Sequence, residues 1–141
     1  MKKTVRQIAF EILLKIEKDK AYSNLAIDSA VKAYSLDSTD CAFVSRLVYG
    51  VTERKITLDY AVSQFLKQPI KRLKPEVLVI LRLGTYQILF MDKIPSSAAV
   101  NESVSLEKNN KCECYDKIII KCKIIFFYTN SKQTLLKLHD L

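Results

Sequence analysis

Six stretches of this chain carry apolar residues at a spacing of three and four positions, which is the pattern of an amphipathic helix. The first stretch covers residues 5–16, and Thr4 with Gln7 three positions later predicts a capping-box start. The second stretch follows Ser23, a residue type that caps helices, and continues to Tyr34. The N-terminal part of the chain is therefore predicted to form two consecutive helices.

A third helix is predicted to begin at Asp37, with Asp40 in its first turn, because acidic side chains there complement the unpaired amides. Gly50 lies inside this helix, where glycine costs about 1 kcal/mol relative to alanine. We therefore predict that another helix approaches closely at Gly50. A fourth helix is predicted over residues 56–66, since Pro69 blocks its continuation.

The longest predicted helix starts at Pro75, because proline suits the first helical position and the acidic Glu76 suits the positive end of the helix dipole. Apolar residues over 77–90 lie on nearly all sides of this helix, which indicates that it is central and largely buried. Ser96 or Ser97 is predicted to cap a sixth helix. Together these elements predict an all-α fold.

The character of the sequence changes after Asn109. Residues 118–128 are rich in β-branched and aromatic side chains, which favour a strand or a buried helix. A lone strand would have no pairing partner among helices, so a helix packed on the bundle is the preferred interpretation. We predict one helical domain over residues 1–108 and an atypical C-terminal tail over residues 109–141.

Composition narrows the class of protein further. Of the 141 residues, 49% are apolar, which is enough for one hydrophobic core. The two glycines, Gly50 and Gly84, are isolated, which excludes both common Gly-rich phosphate loops. No signal peptide is recognised, because a charged amphipathic pattern follows residues 1–4. No membrane-spanning run is recognised either, because Lys121 and Lys123 interrupt the most apolar stretch. A reduced, cytoplasmic location without a membrane partner is expected.

The cysteine pattern does not favour a metal site. Cys112, Cys114, Cys122 and His139 lack the C-x-x-C spacing of structural zinc ligands. His139 is the only histidine and lies close to the C-terminus, where a mobile surface residue is the usual interpretation. No metal ion is therefore expected.

No group of residues has the composition of a catalytic site. Asp37 and Asp40 are explained by helix capping, and the segment at residues 53–55 with Asp59 is interpreted as a solvated helix end with local ion pairs. The net charge of +8 and the sequence pI of about 9.3 favour a polyanionic partner. Neither a catalytic residue nor a cofactor is predicted.

Several motifs in a fixed order resemble one known family. They are RQIAFEIL at 6–13, AYSN at 21–24, FVSRLVYGVTERK at 43–55, LD at 58–59, LKPEVL at 73–78, LRLGTYQIL at 81–89 and IPSSAAVNESV at 94–104. The set resembles the NusB-like all-helical RNA-binding domain. It is most similar to the copy at the N-terminus of Sun/RsmB-type methyltransferases, which make 5-methylcytosine in small-subunit ribosomal RNA.

The resemblance implies a multi-helix bundle of two packed subdomains that binds ribosomal or leader RNA. In free-standing members it implies transcription antitermination with a ribosomal protein as partner. In the methyltransferases a separate domain binds S-adenosylmethionine and carries two catalytic cysteines, and Cys112 and Cys114 match neither cysteine motif. The expectation is a non-catalytic RNA-binding module that lacks the methyltransferase domain.

The tail departs from the family pattern. Near residues 115–125 a family member is expected to have a helix with a sequence close to FVNAVLR. This chain has YDKIIIK at 115–121. One hypothesis is a reading frame that is truncated or frame-shifted near Lys108. Sequencing of the locus tests it, because an intact gene without methyltransferase sequence in a downstream frame would contradict it.

Two groups of cations are the candidate RNA-binding residues. The first group lies at the start of the first helix, where the resemblance implies an RNA-contacting surface, and the second precedes the longest helix. The six residues are Lys2, Lys3, Arg6, Lys71, Arg72 and Lys74. The alternative interpretation of the second group is a solvated loop face. An alternative function is a protein-interaction scaffold that docks a methyltransferase domain or a transcription partner through apolar residues such as Phe90 and Met91.

Overall fold

The computed structural model describes residues 3–64, 66–91, 93–94 and 96–109, and within these ranges all regular structure is helical. The elements are α1 (Val5–Asp19), α2 (Ser23–Tyr34), α3 (Ser38–Glu53), α4 (Lys55–Ser63), a 3₁₀ turn (Ile70–Arg72), α5 (Pro75–Phe90) and α6 (Ser96–Asn109). The predicted all-α class is confirmed. The tail beyond residue 109, with its apolar stretch at 118–128, lies outside the described residues.

Side-chain caps set the starts of α1 and α3 at the predicted residues, but the Gln7 side chain donates to Glu11 at 3.3 Å and does not complete the capping box predicted with Thr4. The Thr4 hydroxyl accepts a hydrogen bond from the Gln7 amide at 3.1 Å, and the Asp37 carboxylate accepts one from the Asp40 amide at 2.8 Å. The prediction for α2 was wrong by one position. Ser23 is its first helical residue, and the preceding Tyr22 offers no side-chain cap.

The end of α4 also differs from the prediction, because the helix stops at Ser63 and not at residue 66. The Ser63 hydroxyl donates to the Tyr60 carbonyl at 2.7 Å, and the Gln64 side-chain amide donates to the same oxygen at 3.5 Å. Side chains that satisfy a carbonyl in this way compete with the helical ladder. Leu66 remains half-buried against the core after the helix has ended.

The core is organised around α5, which packs against α6, α1, α4 and α3. Its side chains are buried on nearly all sides over residues 79–87. This confirms the prediction of a central helix, because only a helix surrounded by others can bury so broad an apolar surface.

Gly50 marks a close contact between α3 and α5. A Cβ atom built at this position would lie 2.1 Å from Cζ of Tyr86, far inside van der Waals distance. The predicted close approach is therefore confirmed, and the approaching group is an aromatic ring. Glycine is needed here for space, since its backbone does not adopt a positive φ.

Helices α1 and α5 run antiparallel, which decides where the candidate cations lie. Arg6 near the start of α1 is bonded to Gln87 near the end of α5, whereas Lys18 near the end of α1 pairs with Glu76 at the start of α5. Lys74, directly before α5, is separated from Gln87 by about 20 Å along the helix axis. The two predicted groups of cations thus belong to opposite ends of the helix pair.

Candidate nucleic-acid interface

Arg6 lies in the first turn of α1 and is held from two sides. Its Nε donates to Oε1 of Gln87 at 2.7 Å, and its guanidinium carbon lies 5.3 Å from the centre of the Phe43 ring. Gln87 is itself fixed, because it is 1% exposed and its amide donates to the Leu83 carbonyl at 3.1 Å. Arg6 therefore joins α1, α3 and α5.

The outer end of Arg6 is available for a ligand. Its two Nη atoms make no hydrogen bond to the residues that the structure describes. A guanidinium fixed at Nε loses little conformational freedom when its remaining N–H groups bind an anion. The position thus has the properties of a phosphate-contacting residue.

Lys3 lies on the other side of the α1 start and already has an anionic partner. Its Nζ donates to Oε1 of Glu11 at 2.6 Å and to the Tyr34 hydroxyl at 3.0 Å. The hydrogen bond to Glu11, followed by that to Tyr34, raises the pKa of Lys3. An incoming phosphate would have to compete with Glu11 for this ammonium.

Glu11 connects α1 to α2 in the same cluster. Partial burial acts to raise its pKa, but hydrogen bonds from Lys3, Gln7 and Tyr34 outweigh that effect and hold the pKa of Glu11 below its ordinary value of 4.5. A carboxyl group whose pKa is lowered by folding stabilises the folded state above its unfolded pKa. This contribution is lost as the pH falls through the lowered pKa.

We therefore expect wild-type protein to be more stable than Glu11→Gln at neutral pH, with a difference that shrinks as the solution is acidified below the ordinary glutamate value of 4.5. Urea unfolding of both proteins across a pH series measures the difference. Asp28→Asn on the exposed face of α2 is the control for removal of a carboxylate. A difference that stays constant with pH would show that the Glu11 charge does not stabilise the fold.

The second predicted group consists of exposed side chains on the connection between α4 and α5. Lys71 and Arg72 belong to the 3₁₀ turn and Lys74 directly precedes α5. None of the three forms an ion pair with the described part of the chain. The structure does not bring them to Lys3 and Arg6, and Lys2 lies outside the described residues.

Arg54 is an exposed cation that the sequence analysis did not select for RNA binding. It forms the corner between α3 and α4, and its guanidinium carbon lies 4.2 Å from the centre of the Phe90 ring. Phe90 is therefore covered by Arg54, and Met91 is 5% exposed. The two apolar residues named for the alternative scaffold function are thus half-buried, in the case of Phe90, and buried, in the case of Met91. No local signal points to Arg54, since its aromatic partner belongs to a distant helix.

The predicted local ion pairing around Asp59 was wrong. Asp59 accepts two hydrogen bonds from Arg82 of α5, from Nε at 2.6 Å and from Nη2 at 2.8 Å. Arg82 also donates from Nη1 to Glu17 of α1 at 3.0 Å, and Lys55 lies 3.6 Å from the same carboxylate. Arg82 is the one charged residue in an otherwise uncharged run at 77–90, and a buried charge in such a run requires partners from other helices.

Neither a metal site nor a membrane span is found in the described ranges. No group of three or more His, Cys, Asp and Glu side chains is placed there to hold an ion. None of the helices described is both long enough and apolar enough to cross a bilayer. The cysteines at 112, 114 and 122 and His139 lie outside the described residues.

Comparison with known proteins places these features in context. The sequence model of the NusB family matches residues 3–119. The chain is 43% identical over 109 residues to the probable ribosomal RNA small subunit methyltransferase B of Bacillus subtilis (strain 168), covering 77% of this chain and 24% of that protein. It thus spans about a quarter of such relatives, since it covers 26% of the corresponding Synechocystis protein at 39% identity.

Shorter relatives are matched over most of their length. The chain is 32% identical over 108 residues to the transcription antitermination protein NusB of Bacillus velezensis, covering 76% of this chain and 80% of that protein. A solved structure of T. maritima NusB has a TM-score of 0.78 at 22% identity, covering 95% of this chain and 98% of that one. At this identity the structural match concerns the fold.

Proposed function

The chain belongs to the NusB family, as its motifs predicted. We propose that it is a cytoplasmic, non-catalytic RNA-binding domain whose RNA surface is centred on the start of α1. The observation that carries the proposal is Arg6, held by Gln87 at Nε and by the Phe43 ring while both Nη atoms are free of hydrogen bonds to described residues.

Single-stranded RNA suits this surface. Phosphate oxygens accept hydrogen bonds from a guanidinium, and unstacked bases pack on aromatic side chains. Tyr34 is a partly exposed aromatic residue on this surface, at 36%. Tyr34 lies within hydrogen-bonding distance of Lys3, so a base contacting its ring would be next to a cation.

We propose that the RNA is small-subunit ribosomal RNA and that the domain works with a methyltransferase domain. The higher identity to the methyltransferase relatives, 43% against 32% for the B. velezensis antitermination protein, supports this assignment. In this proposal the domain contributes RNA affinity, and the transfer of a methyl group takes place elsewhere.

A second candidate is a free-standing antitermination factor that binds leader RNA with a ribosomal protein. It is favoured by the coverage of 80% of the B. velezensis protein. Affinities for a small-subunit ribosomal RNA fragment and for a transcript leader of equal length distinguish the two. Tighter binding to the ribosomal fragment supports the first candidate, and tighter binding to the leader supports the second.

Removal of Arg6 is expected to weaken RNA binding about tenfold, because one charge-assisted contact to phosphate is lost. The dependence of log K on log salt should fall by about 0.7, the value for one phosphate contact to a single strand. Fluorescence anisotropy with a short labelled single-stranded RNA measures both for Arg6→Ala.

Two further variants serve as controls. Lys15→Ala removes an exposed cation from the same helix and should leave the salt slope unchanged. The triple replacement of Lys71, Arg72 and Lys74 by alanine tests the opposite end of the helix pair. If the triple variant loses salt dependence while Arg6→Ala does not, the RNA surface is centred on the α4–α5 connection and the assignment to Arg6 fails.

A further inference from the structure

Two arginines converge on the last turns of α5 from different helices. Arg6 of α1 is bonded to Gln87, and Arg54 at the α3–α4 corner lies over the ring of Phe90. Positions three apart on a helix are neighbours, with Cβ atoms about 5–6 Å from each other. The anchors Gln87 and Phe90 therefore bring the two guanidinium groups to one end of the bundle.

The position of Arg54 is fixed by tertiary packing. Its backbone amide donates to the Gly50 carbonyl at 3.1 Å, which closes the end of α3. Its aromatic partner Phe90 is stacked on Tyr86, with ring centres 5.7 Å apart. Tyr86 in turn occupies the space left by the missing side chain of Gly50. The Gly50 contact thus supports the platform on which Arg54 rests.

Arg54 has no carboxylate partner in the described part of the chain, although Glu53 precedes it. This distinguishes it from Lys3, Lys18, Lys55 and Arg82, each of which pairs with a glutamate or aspartate. Its contact is to an aromatic face, which leaves the N–H groups at the edge of the guanidinium plane free to donate. The side chain is exposed.

We propose that Arg54 is an RNA-binding residue and that Arg54 and Arg6 together clamp the sugar-phosphate backbone of a single strand. The inference rests on the proposed function. Two planar donors held in place by separate helices can contact neighbouring phosphates at little entropic cost. Arginine suits both positions better than lysine, since lysine provides charge without the planar donor geometry or the stacking on the ring.

The test uses the full chain and a short fluorescein-labelled single-stranded RNA titrated at several salt concentrations. Arg54→Ala is expected to weaken binding about threefold to tenfold and to lower the salt slope by about 0.7. Arg54→Lys is expected to keep the slope and to recover only part of the affinity. Lys108→Ala, which removes an exposed cation from the far end of α6, is the matched control and should change neither quantity.

The double variant Arg6→Ala/Arg54→Ala tests whether the two residues act on the same RNA segment. A clamp predicts that the combined loss of affinity differs from the sum of the single losses. Thermal unfolding of each variant separates this effect from loss of fold, because a residue needed only for folding would lower the melting temperature and leave the salt slope of the folded protein unchanged.

The failure of the clamp can be told apart from the failure of RNA binding itself. If wild-type protein shows no salt-dependent affinity for the RNA, the proposed function fails. If wild-type protein binds and Arg6→Ala weakens binding, but Arg54→Ala matches Lys108→Ala in affinity and slope, the proposed function stands and the clamp is refuted. Additive losses in the double variant would refute the clamp and keep Arg54 as an independent contact.

Discussion

Replacement of Gly50 by alanine is expected to destabilise the domain by about 2 kcal/mol, the cost of forcing an extra group into a packed core. The new Cβ would lie 2.1 Å from Cζ and 2.2 Å from the hydroxyl oxygen of Tyr86. The ring has little room to move, because Tyr86 is 7% exposed and stacked on Phe90. The helix propensity gained by replacing glycine, about 1 kcal/mol, is smaller than the steric cost.

Gly84 provides the matched control on the neighbouring helix. A Cβ atom there would meet the Ser103 hydroxyl oxygen at 2.6 Å and the Ser103 Cβ at 3.7 Å. The Ser103 hydroxyl can rotate away at the loss of its hydrogen bond to the Ala99 carbonyl, so Gly84→Ala should cost less than Gly50→Ala, about 1 kcal/mol. Urea unfolding of both variants measures the contrast. Equal stability of Gly50→Ala and wild type would show that α3 and α5 can separate without cost.

A compensating change tests the mechanism directly. Replacing the ring by a shorter side chain in Gly50→Ala/Tyr86→Leu should recover part of the stability that Gly50→Ala loses, because the atoms that clash are then absent. The double-mutant cycle isolates the pairwise term. The same cycle reports on the inferred clamp, since loss of Tyr86 removes the support beneath Phe90 and Arg54.

The sequence predicts the features that depend on neighbouring residues. Thr4 and Asp37 cap helices with amides three positions away, and Pro75 begins α5 where its missing amide hydrogen has no partner to lose. Gly50 could be predicted as a point of close approach because glycine is otherwise costly within a helix. The identity of the approaching residue could not be predicted, since Tyr86 belongs to another helix.

Part of the candidate site could likewise be predicted from the sequence, and part depends on contacts between helices. Family motifs and charge lead to Arg6, but its fixed geometry depends on Gln87 and Phe43, which only the fold brings together. The sequence groups Arg6 with Lys3 and not with Arg54, whereas the fold brings Arg6 and Arg54 to the same end of α5. Arg54 was interpreted as part of a solvated helix end, and its role follows from a ring on a distant helix.

The ion-pair network at Arg82 has the largest expected effect on stability. Arg82→Met is expected to cost about 3 kcal/mol, because it leaves the partly buried Asp59 carboxylate without its cation and leaves Glu17 with Lys55 alone, 3.6 Å away. Arg82 has 6% of its side chain exposed, whereas Asp59 and Glu17 have 25% and 22% exposed. Water can reach the carboxylates in part, so the cost should lie at the lower end of the range for breaking a buried pair. Arg82→Lys keeps the charge but cannot reproduce the two hydrogen bonds to Asp59, and should lose an intermediate amount.

Removing the carboxylates of Asp59 and Glu17 should restore stability. This change separates the electrostatic contribution of Arg82 from the contribution of its packed side chain. In Arg82→Met/Asp59→Leu/Glu17→Gln no unpaired carboxylate remains at the site, so the triple variant should be more stable than Arg82→Met alone.

Acidification should also reduce the loss of stability in Arg82→Met, because it neutralises the carboxylates. Burial acts to raise the pKa of Glu17, but its hydrogen bond from Arg82 and the nearby cations hold that pKa below the ordinary value in the wild type. The difference in the free energy of unfolding between wild type and Arg82→Met should therefore decrease as the pH falls through the lowered pKa of Glu17. Urea unfolding of the three proteins at neutral and acidic pH measures these differences. A triple variant no more stable than Arg82→Met, with a gap independent of pH, would mean that Arg82 stabilises the fold through its packed side chain and not through its charge.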